Sequence, residues 1–277
     1  MTQISFQAQH IVKRYGGVVA LSEGNLSIRS GEVVALVGAN GSGKSTLSKV
    51  ITGVVDHSRG ELLRDGQPVN YPNPISARRA GVTAVFQELS LVPKMTVAEN
   101  IWLTHEPLQR FGWVDEEHIH QETEQLLSLF SGTYQTTLHP DAKVEELSPD
   151  EKQIVEILKA YSLKPEILIL DEATASLDSQ QVKRLFDLIE SWKKSGMALV
   201  FVSHRMDEIF QIADRAVVLR NGKTVGEVWI SEVDESDIVR MMVGEERGLE
   251  AVKAAPARRE EKGIVLKVRE LCSQALH

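Results

Sequence analysis

The sequence is poor in cysteine, in long apolar runs and in excess positive charge. Its one cysteine, Cys272, allows no internal disulfide and points to a reducing compartment. A single thiol near a chain end also makes a poor case for a catalytic nucleophile. The longest apolar runs, such as Met197 to Val202, fall far short of the roughly 18 residues a membrane-spanning helix needs. Met1 leads into a strand-like segment, not the charged start and apolar core of a signal peptide. Basic residues number 31 against 39 acidic, for a net charge of −8, which weighs against a dedicated nucleic-acid binder while leaving a local basic patch open. What remains is ordinary for a soluble globular protein: 42% hydrophobic and 25% charged residues over 277 positions, room for one large or two small domains.

Against that plain background one stretch stands out. Gly38-Ala39-Asn40-Gly41-Ser42-Gly43-Lys44-Ser45-Thr46 fits the phosphate-loop pattern without a gap. The apolar run Val33 to Val37 before it reads as a buried parallel strand, and Ser45 to Thr52 after it reads as a helix. Glycines let successive N–H groups turn inward on an anion, and the helix N-terminus adds partial positive charge. Lys44 is placed to reach β- and γ-phosphates, and the Ser45 hydroxyl to hold Mg²⁺.

Taken in order, Ile4 to Tyr15 reads as a strand turned by Gly16-Gly17. Tyr15 either packs there or stacks on a base. Gly60 to Val69 reads as a hairpin with Asp65-Gly66 as its turn. Val82 to Phe86 is a buried strand ending at Gln87, beyond the carboxyl end, where a side chain faces the ligand crevice of an open sheet. Gln87 there can orient water or contact Mg²⁺. From about 92 to 162 helical period replaces strand signals, over Val97 to Leu103, Glu116 to Phe130 and Glu151 to Tyr161. Trp102, Phe111 and Trp113 are expected to build the small core of this helical insertion, with service to a partner groove as the alternative for some of them. His118 and His120, two apart, share no helix face and are expected to be exposed. Ile167 to Leu170 then delivers Asp171 and Glu172 at the end of an all-aliphatic strand, Asp171 for the Mg²⁺ shell and Glu172 to polarise water. Ala198 to Val202 ends in Ser203-His204, which sets a histidine toward a γ-phosphate. A helix from Met206 to Ala213 and strands at Arg215 to Leu219 and Lys223 to Trp229 complete the core.

This ordered set resembles the ATP-binding subunits of ABC transporters over residues 1 to about 245. Tyr15 falls at the family's adenine-stacking aromatic, Gln87 at its Q-loop, Asp171-Glu172 at its Walker B pair, Ser176-Leu177-Asp178 at its D-loop and His204 at its switch histidine. Phe86 to Pro93 and Thr96 to Ile101 look like the sugar-importer branch, which carries two nucleotide-binding halves on one chain. The resemblance implies an α/β P-loop NTPase (RecA-like) core with an antiparallel β subdomain and a helical subdomain. It implies ATP and Mg²⁺, a second nucleotide-binding half, transmembrane permease subunits, an indirect periplasmic or extracellular solute-binding protein, and no nucleic acid. It places the chain in the cytoplasm, peripheral on the inner face of the membrane. A soluble ABC ATPase acting apart from transport, or a regulatory half that holds ATP with little turnover, are the competing readings.

Two further features follow from the resemblance. The family signature, Leu-Ser-Gly-Gly-Gln, caps the γ-phosphate held by the opposite half, and here it reads Leu147-Ser148-Pro149-Asp150-Glu151. Ser148 is retained, but Pro149 lacks an N–H and two acids follow. Two charges about 5 Å apart at an effective dielectric near 20 interact by roughly 3 kcal/mol, so poor hydrolysis at the site this loop completes is expected. Read locally, the same residues start a helix, with Ser at N-cap, Pro at N1 and Glu at N3. Beyond the first domain (1–245), residues 246–263 read as a linker. Ile264 to Leu271 looks like a strand again, and Val268 to Leu276 loosely echoes Ala8 to Leu21, so 264–277 is expected to begin a second, cut-off domain.

Overall fold

The computed structural model describes residues 4–110, 112–134 and 138–244. Phe111, the linker 246–263, the segment 264–277 and Cys272 lie outside the described residues.

The chain opens with two long antiparallel strands, β1 (Ile4–Tyr15) and β2 (Val18–Arg29), joined at Gly16-Gly17. β2 buries Gly24, Leu26 and Ile28 on one face, the period of two that a half-covered strand requires. β3 (Val33–Val37) is buried at all five positions and runs into α1 (Lys44–Ile51). β4 (Arg59–Arg64) and β5 (Gln67–Val69) form a hairpin over Asp65 and Gly66, whose φ values of 49° and 77° match the twist-compatible two-residue turn. α2 (Pro74–Arg79), with an Asn73 capping box, leads to β6 (Val82–Val85).

The helical insertion follows: α3 (Val97–Trp102), α4 (Glu116–Ser128) and α5 (Pro149–Ser162). Asn100, fully buried on α3, holds the loop before it. Its amide accepts from the Val92 N–H at 2.7 Å and donates to Val92 O at 3.0 Å and Thr96 O at 2.9 Å. Trp102 packs against the lobe's core and donates to Thr123 Oγ1 at 3.0 Å. Trp113 does not join it: the side chain is 74% exposed, on a short bridge between Leu108 and Val114 that projects from the lobe. The aromatic packing comes instead from Phe130 and from Tyr161 stacked on Trp192, ring centroids 4.6 Å apart. His118 is exposed as expected, but His120 is half-buried, with Nε2 3.2 Å from Asp141. Among the described residues, no three His, Cys, Asp or Glu are grouped to hold a metal.

The remaining elements alternate: β7 (Ile167–Asp171), α6 (Ser179–Lys194), β8 (Ala198–Val202), α7 (Met206–Ile212), β9 (Arg215–Arg220), β10 (Lys223–Trp229) and α8 (Glu235–Val243). The sheet order is β5-β4-β1-β2-β10-β9-β3-β8-β7-β6. β9, β3, β8, β7 and β6 are parallel, whereas β1, β2, β4 and β5 are antiparallel. Among the described residues no helix is long and apolar enough to cross a membrane.

The two halves of the sheet meet at one parallel pair, Lys223 with Glu23. Side chains reinforce that seam. Arg215, buried in β9, donates to Glu32 at 2.8 Å and 3.2 Å, to Ser27 O on β2 at 2.7 Å, and to Glu227 on β10. Removing one member of such a cluster strands the other charge in a dry interior. Arg215→Ala should therefore lower the unfolding free energy by about 3–5 kcal/mol in urea titration. Arg240→Ala, which breaks an exposed pair with Asp237, should cost under about 1 kcal/mol.

Candidate active site

Register brings the sequence-predicted residues to one edge. Leu36 on β3 pairs with Val202 on β8, and Val202 pairs with Asp171 on β7. The segments that leave these three strands carry the glycine loop, Glu172 and His204. The Glu172 N–H donates to Val202 O at 2.9 Å, although its φ of 54° is left-handed and unusual outside glycine. There the His204 Nδ1 lies 3.5 Å from Glu172 Oε1, with the histidine side chain 64% exposed.

These residues share a cavity of about 680 Å³ lined by Asn40, Gly41, Gly43, Lys44, Ser45 and Thr46 from the loop, with Gln87, Glu172 and His204 opposite. Gly38, Ala39 and Ser42 shape the loop without lining the cavity. A Cβ on Gly38 would sit 2.3 Å from Leu219 O, so only glycine lets the chain pass. At Gly43, with φ of 106°, a Cβ would meet Leu21 Cδ2 at 2.6 Å. The Ser42 hydroxyl is buried without a hydrogen-bond partner among the described residues.

Lys44 is buried, and its ammonium donates to Gly38 O at 2.8 Å and Ala39 O at 3.2 Å. Burial pushes its pKa below the ordinary lysine value, opposed by the negative fields of Asp171 and Glu172. Asp171 lies beneath the cavity. Burial raises its carboxyl above the ordinary aspartate value, while a hydrogen bond with Ser45 and the charge of Lys44 oppose the rise. A hydroxyl and a desolvated carboxylate in contact, with Gln87 across the cavity, form an all-oxygen donor set that suits a small hard cation such as Mg²⁺.

Tyr15 does not line the cavity. It pairs with Val18 at the end of β1, is 46% exposed, and has Lys13 Nζ 5.0 Å above its ring. Sequence reasoning missed Val18, Val19 and Ala20, which form the cavity wall on that side. The sequence shows only two valines after the Gly16-Gly17 turn; that they are exposed, covering nothing of the protein's own, emerges from the structure alone.

Ser148, Pro149, Asp150 and Asp178 lie apart from this cavity but close to one another. The Ser148 N–H and hydroxyl both donate to Glu151 Oε2 at 3.0 Å, a capping box that starts α5 with Pro149 at its first position. Glu151 is thereby buried within its own helix start, as the local reading of Ser at N-cap and Glu at N3 expects, so of the two added acids it is not a free charge. Partial burial works against the charge on Asp150, but hydrogen bonds with Ser148, Gln181 and nearby N–H groups outweigh it and its pKa falls below the ordinary value. Gln181 is the link to Asp178: its amide donates to Asp150 Oδ2 at 2.7 Å and accepts from the Asp178 N–H at 2.9 Å.

Comparison with known proteins bears on the chain's family and fold. An ATP-binding protein of Hahella chejuensis named for putative ribose/galactose/methyl galactoside import is 41% identical over 240 residues, 87% of this chain and 46% of that protein. A ribose import ATP-binding protein of Rhizobium etli is 39% identical over 96% of this chain and 51% of its own length. The chain thus spans about half the length of the curated relatives it matches. The crystal structure of a nucleotide-free ATP-binding cassette from an ABC transporter superposes with a TM-score of 0.71 at 25% identity, over 87% of this chain and 99% of that one. A cassette in its ADP conformation gives 0.70 at 25% identity, over 91% and 100%. The family model described as ABC transporter matches residues 21–175, more than half of the sequence. The cavity at the ends of β3, β7 and β8 is therefore that of a nucleotide-binding cassette, and the chain belongs to the ABC transporter family.

Proposed function

We propose that this chain binds and hydrolyses ATP to power an importer for a small polar solute, a monosaccharide. The observation that carries the reading is that Lys44, Ser45, Gln87, Glu172 and His204, from four separate stretches of structure, line one cavity. The triphosphate would rest on the N–H groups of the loop from Gly38 to Thr46, with Lys44 on the β- and γ-phosphates. Mg²⁺, which neutralises developing charge on the phosphoryl oxygens, would be held by Ser45, Asp171 and Gln87. Glu172 orients water for in-line attack, and His204 beside it meets the γ-phosphate. Tyr15, at the outer end of the Val18–Ala20 wall, would stack on the base.

The solute class rests on the relatives, both named for import of ribose or related sugars. A second nucleotide-binding half fits their roughly doubled length. Residues 1–245 would form the first half, with 264–277 beginning the next. Permease subunits and a solute-binding protein would complete the assembly at the inner face of the membrane.

Two variants test the chemistry. Lys44→Ala should reduce ATP hydrolysis by at least about 100-fold. Glu172→Gln should bind radiolabelled ATP and retain it uncleaved, and turnover equal to wild type would remove Glu172 from its role.

The departure at the signature concerns the other composite site. With Ser148 engaged by Glu151 and no N–H at Pro149, this loop offers a facing γ-phosphate little to bind, and Asp150 brings negative charge. The site built on Lys44 and Glu172 would still work if the opposite half supplies a good signature. Replacing Pro149 and Asp150 together by Gly in the full transporter should raise steady-state hydrolysis or ATP affinity several-fold. Unchanged kinetics would show that this loop does not limit its site.

A further inference from the structure

Glu208 stands four residues beyond His204, on α7, and takes no part in the ligand cavity. Its side chain is only 3% exposed. A carboxylate so removed from water needs its charge and lone pairs met by the protein. One oxygen, Oε2, accepts from Thr174 Oγ1 and from Ser203 Oγ, each at 2.9 Å. The other, Oε1, is ion-paired with Arg205 Nη1 at 2.6 Å. The Arg205 N–H in turn donates to Ser203 Oγ at 3.1 Å.

The two hydroxyls belong to different parts of the chain. Thr174 comes two residues after Glu172, beyond β7, and Ser203 comes immediately before His204, beyond β8. Both are buried. A single oxygen therefore clips together the two segments that carry Glu172 and His204. Besides this clip, the Glu172 N–H donates to Val202 O at 2.9 Å, tying the two strand ends through the backbone but not fixing either side chain. Glu172 sits in a left-handed backbone conformation, and His204 is mostly exposed.

We propose that Glu208 is a positioning residue, whose two accepted hydrogen bonds fix the 3.5 Å approach of His204 Nδ1 to Glu172 Oε1. Hydrogen bonds to a charged acceptor in a dry cluster are stronger and more directional than those at a wet surface, so the clip resists drift of either segment. The proposal rests on the ATPase reading for its kinetic consequence but not for its geometry.

Thr174→Val, nearly isosteric, removes one donor and leaves the other. Ser203→Ala removes the second. The measurement is NMR of the full chain uniformly labelled with 15N and 13C, the His204 ring signal being identified by its loss in His204→Gln. Both variants should move the His204 ring and Glu172 amide signals. The Gly43 and Lys44 amides should stay in place, and Mg-ATP affinity should stay within about twofold. Where hydrolysis is followed, kcat should fall about tenfold with KM within about twofold. Folded variants with wild-type His204 and Glu172 signals would overturn the proposal even if their melting temperatures fell. Full turnover by Glu172→Gln would instead sink the ATPase reading, while the ring signals still decide the role of Glu208.

Discussion

The structure depends on the parallel register of three short strands. β3, β8 and β7 are each five residues long and buried at every position. Their pairing puts Leu36, Val202 and Asp171 on one line across the sheet. Aliphatic packing on both faces fixes that line, because a slip by one residue would turn every side chain to the opposite layer. The polar residues just past the line then have one place to go. The geometry at this edge is set by the ends of hydrophobic strands, of whose own side chains Asp171, the last of β7, reaches Ser45 of the loop.

A second consequence of burial shows in how acids are treated. Asp171, under the cavity, is raised above its ordinary value by desolvation, whereas Asp150, at the start of α5, is held below its ordinary value by hydrogen bonds that outweigh its burial. The first has its charge opposed by desolvation, with Ser45 and Lys44 offsetting it only in part. The second is already satisfied by neutral donors. Glu32, Glu151 and Glu208 are buried too, and each has its charge met: Glu32 by Arg215, Glu151 by its own helix start and Glu208 by two hydroxyls and Arg205.

Much of this was legible in the sequence because it follows local rules. The Asp65-Gly66 hairpin, the capped start of α5 at Ser148 and the strand ending in Asp171 are each written in consecutive residues. What escaped had other causes. The 16-residue α6 carries its stripe plainly at Leu185, Phe186, Leu188, Ile189 and Trp192, but its polar Ser-Gln-Gln start hid it behind the acids of the preceding strand. Trp113 was expected inside because large aromatics usually bury, yet it sits on a short projecting bridge with nothing packed over it. Glu208 and Gln181 were legible only in part. Gln181 closes a local capping box with Asp178, but its bond to Asp150 and that of Glu208 to Thr174 join partners 31 and 34 positions away, which no local pattern encodes.

The phosphate loop does not stand alone. Gly43 rests against Leu21 of β2, and the Gly222 N–H donates to Ser42 O at 3.0 Å while Gly222 O accepts from the Ser22 N–H at 2.7 Å. The anion cradle is thus braced by the antiparallel half of the molecule through one glycine between β9 and β10. Its bracing comes from β2 and from the turn between β9 and β10, outside the loop itself. A disturbance at the turn between β9 and β10 would reach the loop through Gly222, much as a shifted abutment slackens an arch whose keystone is intact.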